Sequence, residues 1–152
     1  MDINEQIKAT GTVTMDIIRD GKIIETKQFK NLVVTVGKEF IASRMVGTSK
    51  AVMSHMAIGS SSTPANAADN STTNFLSGGS QLARQALASS TASGSTITYS
   101  ATFLPTVGTG AVVEAGLLNA ATGGDLLCRT VFSVVNKGAA DTIAVTWQVT
   151  IG

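Results

Sequence analysis

The chain has a single cysteine, Cys128, so no intrachain disulfide staples it. Histidine is equally scarce. His55 stands alone, and one His, one Cys and dispersed carboxylates give no ligand cluster for a metal. No run of about 18 apolar residues is present, which leaves no helical membrane span. The opening MDINEQIKAT lacks the basic start and apolar block of a secretory signal. The expectation is a protein made in a cytoplasm that stays there or leaves by lysis. Aromatics make up only 5% of a chain that is 43% hydrophobic, so its core has to be built mainly from Val, Ile, Leu and Ala.

Charge is the other shortage. The formal net charge of +1 gives no reason to expect nucleic acid or an acidic membrane as partner. Residues 1–50 carry eight Lys/Arg and six Asp/Glu, whereas residues 51–152 carry only Asp69, Arg84, Glu114, Asp125, Arg129, Lys137 and Asp141. The surface of a free cytosolic protein is about a quarter to a third charged. Ser, Thr, Gly and Ala fill the gap here, a composition suited to proteins that live packed against neighbours.

What is present is alternation. Ile7, Ala9, Gly11, Val13, Met15 and Ile17 alternate with polar residues, the period of a half-buried strand. Asp20-Gly21 marks a two-residue hairpin turn, and KIIETKQFK returns as its partner. After the apolar NLVVTV (31–36), the spacing of Phe40, Ile41, Arg44 and Met45 predicts one helix over 37–46, stopped by Gly47. AVMSHMAI (51–58) reads as a strand and residues 59–80 as a long surface loop. Residues 81–89 suit a helix by propensity and a strand by their neighbours. Ile97 to Phe103, Val112–Leu118, Leu126–Val135 and Ile143 to Ile151 read as strands, with Gly123-Gly124 in a turn between the second and third. The fold expected is all-β: a β-sandwich or jelly-roll-like barrel of about 7–9 mostly antiparallel strands in a single domain.

No catalytic constellation emerges. Gly-x-Ser-x-Gly is absent, and strand alternation sets Ser54 on the face opposite His55. His55 reads as a structural residue, and Cys128, inside LLCRTVF, as a buried, inert thiol. Gly123-Gly124 lacks the lysine and the strand-to-helix setting of a phosphate loop. Arg84, Glu114 and Arg129 stand out as lone charges in neutral segments. Glu114 and Arg129 lie on the two arms of one hairpin, which predicts a cross-strand ion pair; contact with a neighbouring subunit is the alternative. A hydrolase lacks its acid–base groups, so the chain reads as not an enzyme. A carbohydrate-binding module would show exposed aromatics, yet Trp147 and Tyr99 occupy core-phase positions.

The order of KNLVVTVGKEFIASRMVG (30–47), MAIGSSSTPANAADNSTT (56–73), LARQAL (82–87), TYSATF (98–103), VVEAGLLNAATGGDLLCRTVF (112–132) and VNKGAADTIAVTWQVTI (135–151) resembles small structural proteins of tailed bacteriophages. The loop with its following LAR, YSATF and EAGLLNA is also similar to the attachment domain of tail-collar fibre proteins. Where that motif sets an acidic residue ahead of its arginine, this chain has Gln81-Leu82-Ala83-Arg84. The resemblance implies a virion role without cofactor or metal. It implies a capsid decoration (cement) protein on the exterior, bound to the major capsid protein lattice and to copies of itself as a homodimer or homotrimer. A tail, neck or fibre-attachment position is the alternative. Nucleic acid and membrane are not implied as partners. The contacts it suggests are Met1, Asp2, Ile3, Asn4, Glu5, Arg84, Glu114 and Arg129, with residues 1–8 an arm that adds a strand to a neighbour's sheet edge.

Overall fold

A computed structural model describes residues 5–70 and 80–152. Among them are nine strands and one helix: β1 (Ala9–Arg19), β2 (Lys22–Val33), α1 (Thr35–Met45), β3 (His55–Gly59), β4 (Gln81–Ala86), β5 (Ser89–Ser93), β6 (Thr96–Phe103), β7 (Gly110–Leu118), β8 (Leu126–Lys137) and β9 (Thr142–Ile151). The strands lie in the order β4-β3-β7-β8-β2-β1-β9-β6-β5, with every neighbouring pair antiparallel. The sheet curls into a half-barrel, the all-β architecture that the alternating patterns call for.

Alternation fixes which face turns inward. Val13, Met15 and Ile17 of β1, Tyr99, Ala101 and Phe103 of β6, and Ile143, Val145, Trp147 and Val149 of β9 are all buried in one core. The β1 pattern overreaches at its start, because β1 begins at Ala9 and Ile7 is 80% exposed. Asp20 and Gly21 turn the first hairpin with φ of 51° and 73°, the left-handed geometry that Asp-Gly tolerates. Gly11 stands between Asn31 on β2 and Val149 on β9. A methyl group there would strike the Asn31 side chain, whose Oδ1 accepts the Trp147 Nε1–H at 3.0 Å.

β2 belongs to both halves of the sheet. Gly11–Arg19 of β1 pairs with Lys22–Asn31, while β8 meets β2 only through Leu32↔Arg129 and Val33↔Cys128. Beyond those two rungs the strands part. Side chains bridge the mouth: Phe29 and Phe132 stack at 4.4 Å, and the Thr130 hydroxyl donates to the Lys30 carbonyl at 2.8 Å.

α1 starts two residues earlier than its periodicity suggests, because β2 ends at Val33 and the chain turns at once onto β8. Gly47, φ 66°, closes it by donating its N–H to the Arg44 carbonyl. Residues 81–86 form a strand, pairing with β3 against their helical propensity. β5, mostly polar and exposed throughout, escapes hydrophobic reading and is held by β6 across a turn at Gly94, φ 58°. Its Ser-Thr-Ala-Ser composition contains no apolar period to detect.

Gly37 lets the helix approach β8 closely, since a Cβ there would collide with the Leu127 carbonyl. An alanine at an unhindered helical position stabilises by about 1 kcal/mol over glycine. Here the collision with rigid backbone should dominate. Gly37→Ala is expected to lower unfolding stability by about 1–3 kcal/mol in urea denaturation, and a stabilised variant would disprove the close contact.

Candidate functional site

The stretch Glu114 to Arg129 builds the most unusual environment in the molecule. From Glu114 to Leu118 and from Leu126 to Thr130 every residue is buried. One face of this β7–β8 hairpin meets the main core through Ala115, Leu117 and Cys128. The other face forms a second, smaller cluster, in which Leu118 and Leu126 pack with Val34 and Ala57. A strand covered on both sides reads as a near-continuous apolar run, which LLCRTVF is but for Arg129 and Thr130.

Glu114 and Arg129 lie on that second face, both 0% exposed. Arg129 Nε and Nη2 donate to Glu114 Oε2 at 3.1 and 2.8 Å, so the cross-strand pair is present. The loop after β3 completes it. Arg129 Nη1 donates to Asp69 Oδ2 at 3.1 Å and Nη2 to the Thr63 carbonyl at 2.9 Å, while the Ser61 N–H donates to Glu114 Oε1 at 2.7 Å. Asp69 Oδ2 also accepts the Asn66 N–H at 2.9 Å. Burial pushes the Glu114 carboxyl above the usual carboxylate range, against the pull of Arg129 and of the Ser61 N–H. The centre therefore pins residues 60–69 over the hairpin. Sequence reasoning missed Asp69 and Ser61. The one local signal is Asn66-Ala67-Ala68-Asp69, whose side chains cap their own turn.

Arg84 holds the tip of the same hairpin. From β4 its Nη1 donates to the carbonyls of Ala120 and Gly123, both at 3.0 Å, and its Nε to Gln81 Oε1 at 3.2 Å. Gly123 and Gly124 take φ of 60° and 79°, the turn role expected of them. Asn119 organises the rest, with Oδ1 accepting the Asp125 N–H at 2.7 Å. As partner contacts, Glu114 and Arg129 give way to this intrachain pairing, because fully buried and mutually bonded side chains present nothing to a neighbour. Arg84 is half-buried and engaged with the loop. Glu5 is exposed, and Met1, Asp2, Ile3 and Asn4 lie outside the described residues.

A second polar lock closes the β8–β9 turn. Arg19 grips Asp141 with two parallel bonds of 2.8 and 2.9 Å across 122 residues of sequence. Gly138 N–H adds a third bond to Asp141 at 2.9 Å, and together these lower its carboxyl to about 2. Lys137, 2% exposed, donates its ammonium to the carbonyls of Leu104 and Asp141 at 2.9 and 2.6 Å.

The remaining candidates stay apart from these centres. Cys128 is buried, and desolvation raises its thiol well above the ordinary value. Ser54 and His55 correct the expectation of opposite faces: Ser54 Oγ lies 2.8 Å from His55 Nδ1. β3 begins only at His55, so strand alternation does not extend to Ser54. No group of three or more His, Cys, Asp or Glu among the described residues is placed to hold a metal ion. No helix of the described residues is long and apolar enough to cross a membrane. No protein-family model matches the chain, and no curated protein or solved structure matches it either.

Removing one partner of a buried ion pair costs about 3–5 kcal/mol, a large share of a domain's stability of about 5–15 kcal/mol. Arg129→Met is expected to lose that much in denaturant unfolding and to raise hydrogen exchange at the Ser61 and Asn66 amides. A loss below about 1 kcal/mol would mean that the centre does not anchor the loop.

Asp141 sets an acid limit. Its folded carboxyl is lowered to about 2 from the ordinary 3.8, so it stabilises the fold above the ordinary value and that contribution is lost as pH falls through about 2. Thermal melts between about pH 4.5 and pH 2 should fall steeply in the native chain and less so in Arg19→Gln. Equal slopes would count against the Arg19–Asp141 grip.

Proposed function

We propose that the chain is a non-enzymatic assembly protein of a tailed-bacteriophage virion, most simply a capsid decoration protein. It binds the major capsid protein lattice as a homodimer or homotrimer. One observation carries this reading. Among the described residues, no charged side chain after residue 50 is exposed: Asp69, Glu114, Arg129, Lys137 and Asp141 are buried, and Arg84 and Asp125 half-buried. Residues 71–79 contain no charged residue at all. The exposed charges all come from the first fifty residues, chiefly the β1–β2 hairpin and α1.

A neutral surface of Ser, Thr, Ala and Gly suits permanent contact. Covering it requires no ion to be stripped of water, the large cost in burying charge. Interface centres are likewise depleted in charged residues. Many copies, each held with modest affinity, then stabilise a shell through summed contact area. The ordered resemblance of residues 30–151 to phage structural proteins points the same way. A glycan-binding role has less support, since Trp147 is 0% and Tyr99 8% exposed.

Quantitative mass spectrometry of purified virions tests the reading. The chain is expected in copies on the order of hundreds per particle, whereas about a dozen would place it at the tail or neck. Sedimentation of the isolated chain is expected to give a dimer or trimer. Absence from intact particles, together with a monomer in solution, would overturn the proposal.

A further inference from the structure

The sheet ends in an open strand. β5 is last in the order, pairs with β6 on one side only, and is exposed along all 5 of its residues. The strand at the other end, β4, is placed differently: it lies against β6 and carries Arg84, which is engaged with the β7–β8 hairpin tip. Register shows which backbone groups β5 leaves free. The Ile151 N–H donates to the Ser95 carbonyl at 3.0 Å, one step beyond the Thr96↔Thr150 pair, so Ser95, Ile97 and Tyr99 direct their backbone groups to β9. The alternate residues Thr96, Thr98 and Ser100 then bond Ser93, Thr91 and Ser89 of β5. The N–H and C=O of Ser90 and of Ala92 therefore point away from β6, and among the described residues nothing meets them.

An edge strand ordinarily carries a device against pairing, such as a lysine, a proline or a bulge. β5 has neither charge nor proline, its ladder with β6 runs without a register shift, and no charged residue occurs between Arg84 and Glu114. These features suit a second copy of the same strand. A two-fold axis sets a strand against itself, so a charged edge would meet its own charge, and this one does not. The order Ser89-Ser90-Thr91-Ala92-Ser93 is also nearly symmetric about its middle residue. With Thr91 on the axis, Ser90 of each copy faces Ala92 of the other, and every free N–H meets a free C=O. An axis through Ser90 would set Ala92 against Ala88, whose N–H is already given to the Ser100 carbonyl. An axis through Ala92 would set Ser90 against Gly94, which lies in the turn. The hydroxyls agree with the central axis. Ser89 and Ser100 share a bond of 2.6 Å and Thr96 and Thr150 one of 3.1 Å. The axis continues those rows with Thr91 against Thr91 and Ser89 against Ser93, a pair type that favours strand pairing.

We propose that β5 is a self-association edge, at which two copies of the chain pair antiparallel about a two-fold axis at Thr91 and join their sheets into one. This deepens the reading above, since it rests on the homodimer named there and assigns its surface and symmetry. Two short strands make a small contact, in the weak class below about 1,200 Å². The dimer therefore forms in solution with Kd on the order of 100 µM and gains strength where a lattice holds many copies close together.

Disulfide trapping in the full chain tests the register. On the axis, the two Thr91 positions form a non-hydrogen-bonded pair with Cβ atoms about 4.5–5.5 Å apart, close to disulfide reach. Two Ser89 or two Ser93 positions lie about 14 Å apart along the strands, beyond that reach. In a glutathione buffer Thr91→Cys is expected to give linked dimers about tenfold faster than Ser89→Cys or Ser93→Cys alone, and a mixture of the last two chains should link to each other. Cys128 is buried, so the native chain is the unlinked control. Thr91→Lys, at an exposed site, should raise the dimer Kd about tenfold in sedimentation between about 20 and 500 µM. Amide NMR spectra of each variant serve as the folding control. Equal linking at positions 89, 91 and 93, a native chain still monomeric at about 1 mM, or an unchanged Kd in Thr91→Lys would overturn the proposal. Copy number per particle reads the virion role separately. A chain abundant in particles whose Thr91→Cys variant does not link would overturn this pairing alone, whereas linking by a chain absent from particles would uphold the pairing and remove its virion setting.

Discussion

The buried guanidinium of Arg129 is the interaction on which the arrangement of this molecule depends. It sits on a central strand at 0% exposure and reaches Glu114 on the next strand and Asp69 on the loop above. A charge in such a place has no water to turn to, so its neighbours must supply every acceptor. That requirement shapes the chain around it. The loop from Ser60 to Asp69 lacks secondary structure yet follows a defined path, because Thr63, Ser61 and Asp69 are each tied to the same centre. An apolar residue in place of the arginine would leave this segment with little reason to lie where it does.

Inward charge and outward neutrality are two sides of one design. The C-terminal two-thirds of the chain uses its few ions as internal fasteners: Arg129 under the loop, Asp141 with Arg19, and Lys137 at the β8–β9 turn. Among the described residues, what remains outside is uncharged, much of it Ser, Thr, Ala and Gly. The first fifty residues divide their labour differently, keeping exposed charges such as Lys22, Glu25, Lys38 and Glu39 on the same elements as buried Val13, Met15, Ile17 and Phe40 or next to them. Among the described residues, the molecule is thus charged on one contribution and bland on the other.

Much of the fold was legible because alternation is a local signal. β1 over 13–17, β6 over 99–103 and β9 over 143–149 bury every second residue, and Asp20-Gly21 and Gly123-Gly124 turn where such pairs do. Where local and distant forces compete, reading from the sequence fails. Gln81–Ala86 has helix-forming residues, but its pairing with β3 outweighs propensity. Ser89–Ser93 has no apolar pattern, and only β6 makes it a strand. Ser54 falls one residue outside its strand, so it contacts His55 rather than avoiding it. For the polar centre, the hairpin announced Glu114 with Arg129, which are diagonal neighbours across it: Glu114 stands opposite Val131 and Arg129 opposite Gly116. Asp69 lies 60 residues from Arg129, and Arg19 lies 122 from Asp141; nothing short of the folded chain brings such pairs together.

The two ladder rungs between β2 and β8 have a mechanical meaning. Four hydrogen-bonded strands on one side and five on the other share one short backbone hinge, at Leu32 and Val33. Register along so brief a seam resists sliding, because both strands are anchored by long ladders elsewhere, but it offers little resistance to splaying. The angle between the two panels is therefore governed by the bulk of the side chains wedged between them. A swollen or shrunken interior would be felt as a wider or narrower gape at the Phe29–Phe132 stack, with every strand keeping its own partners.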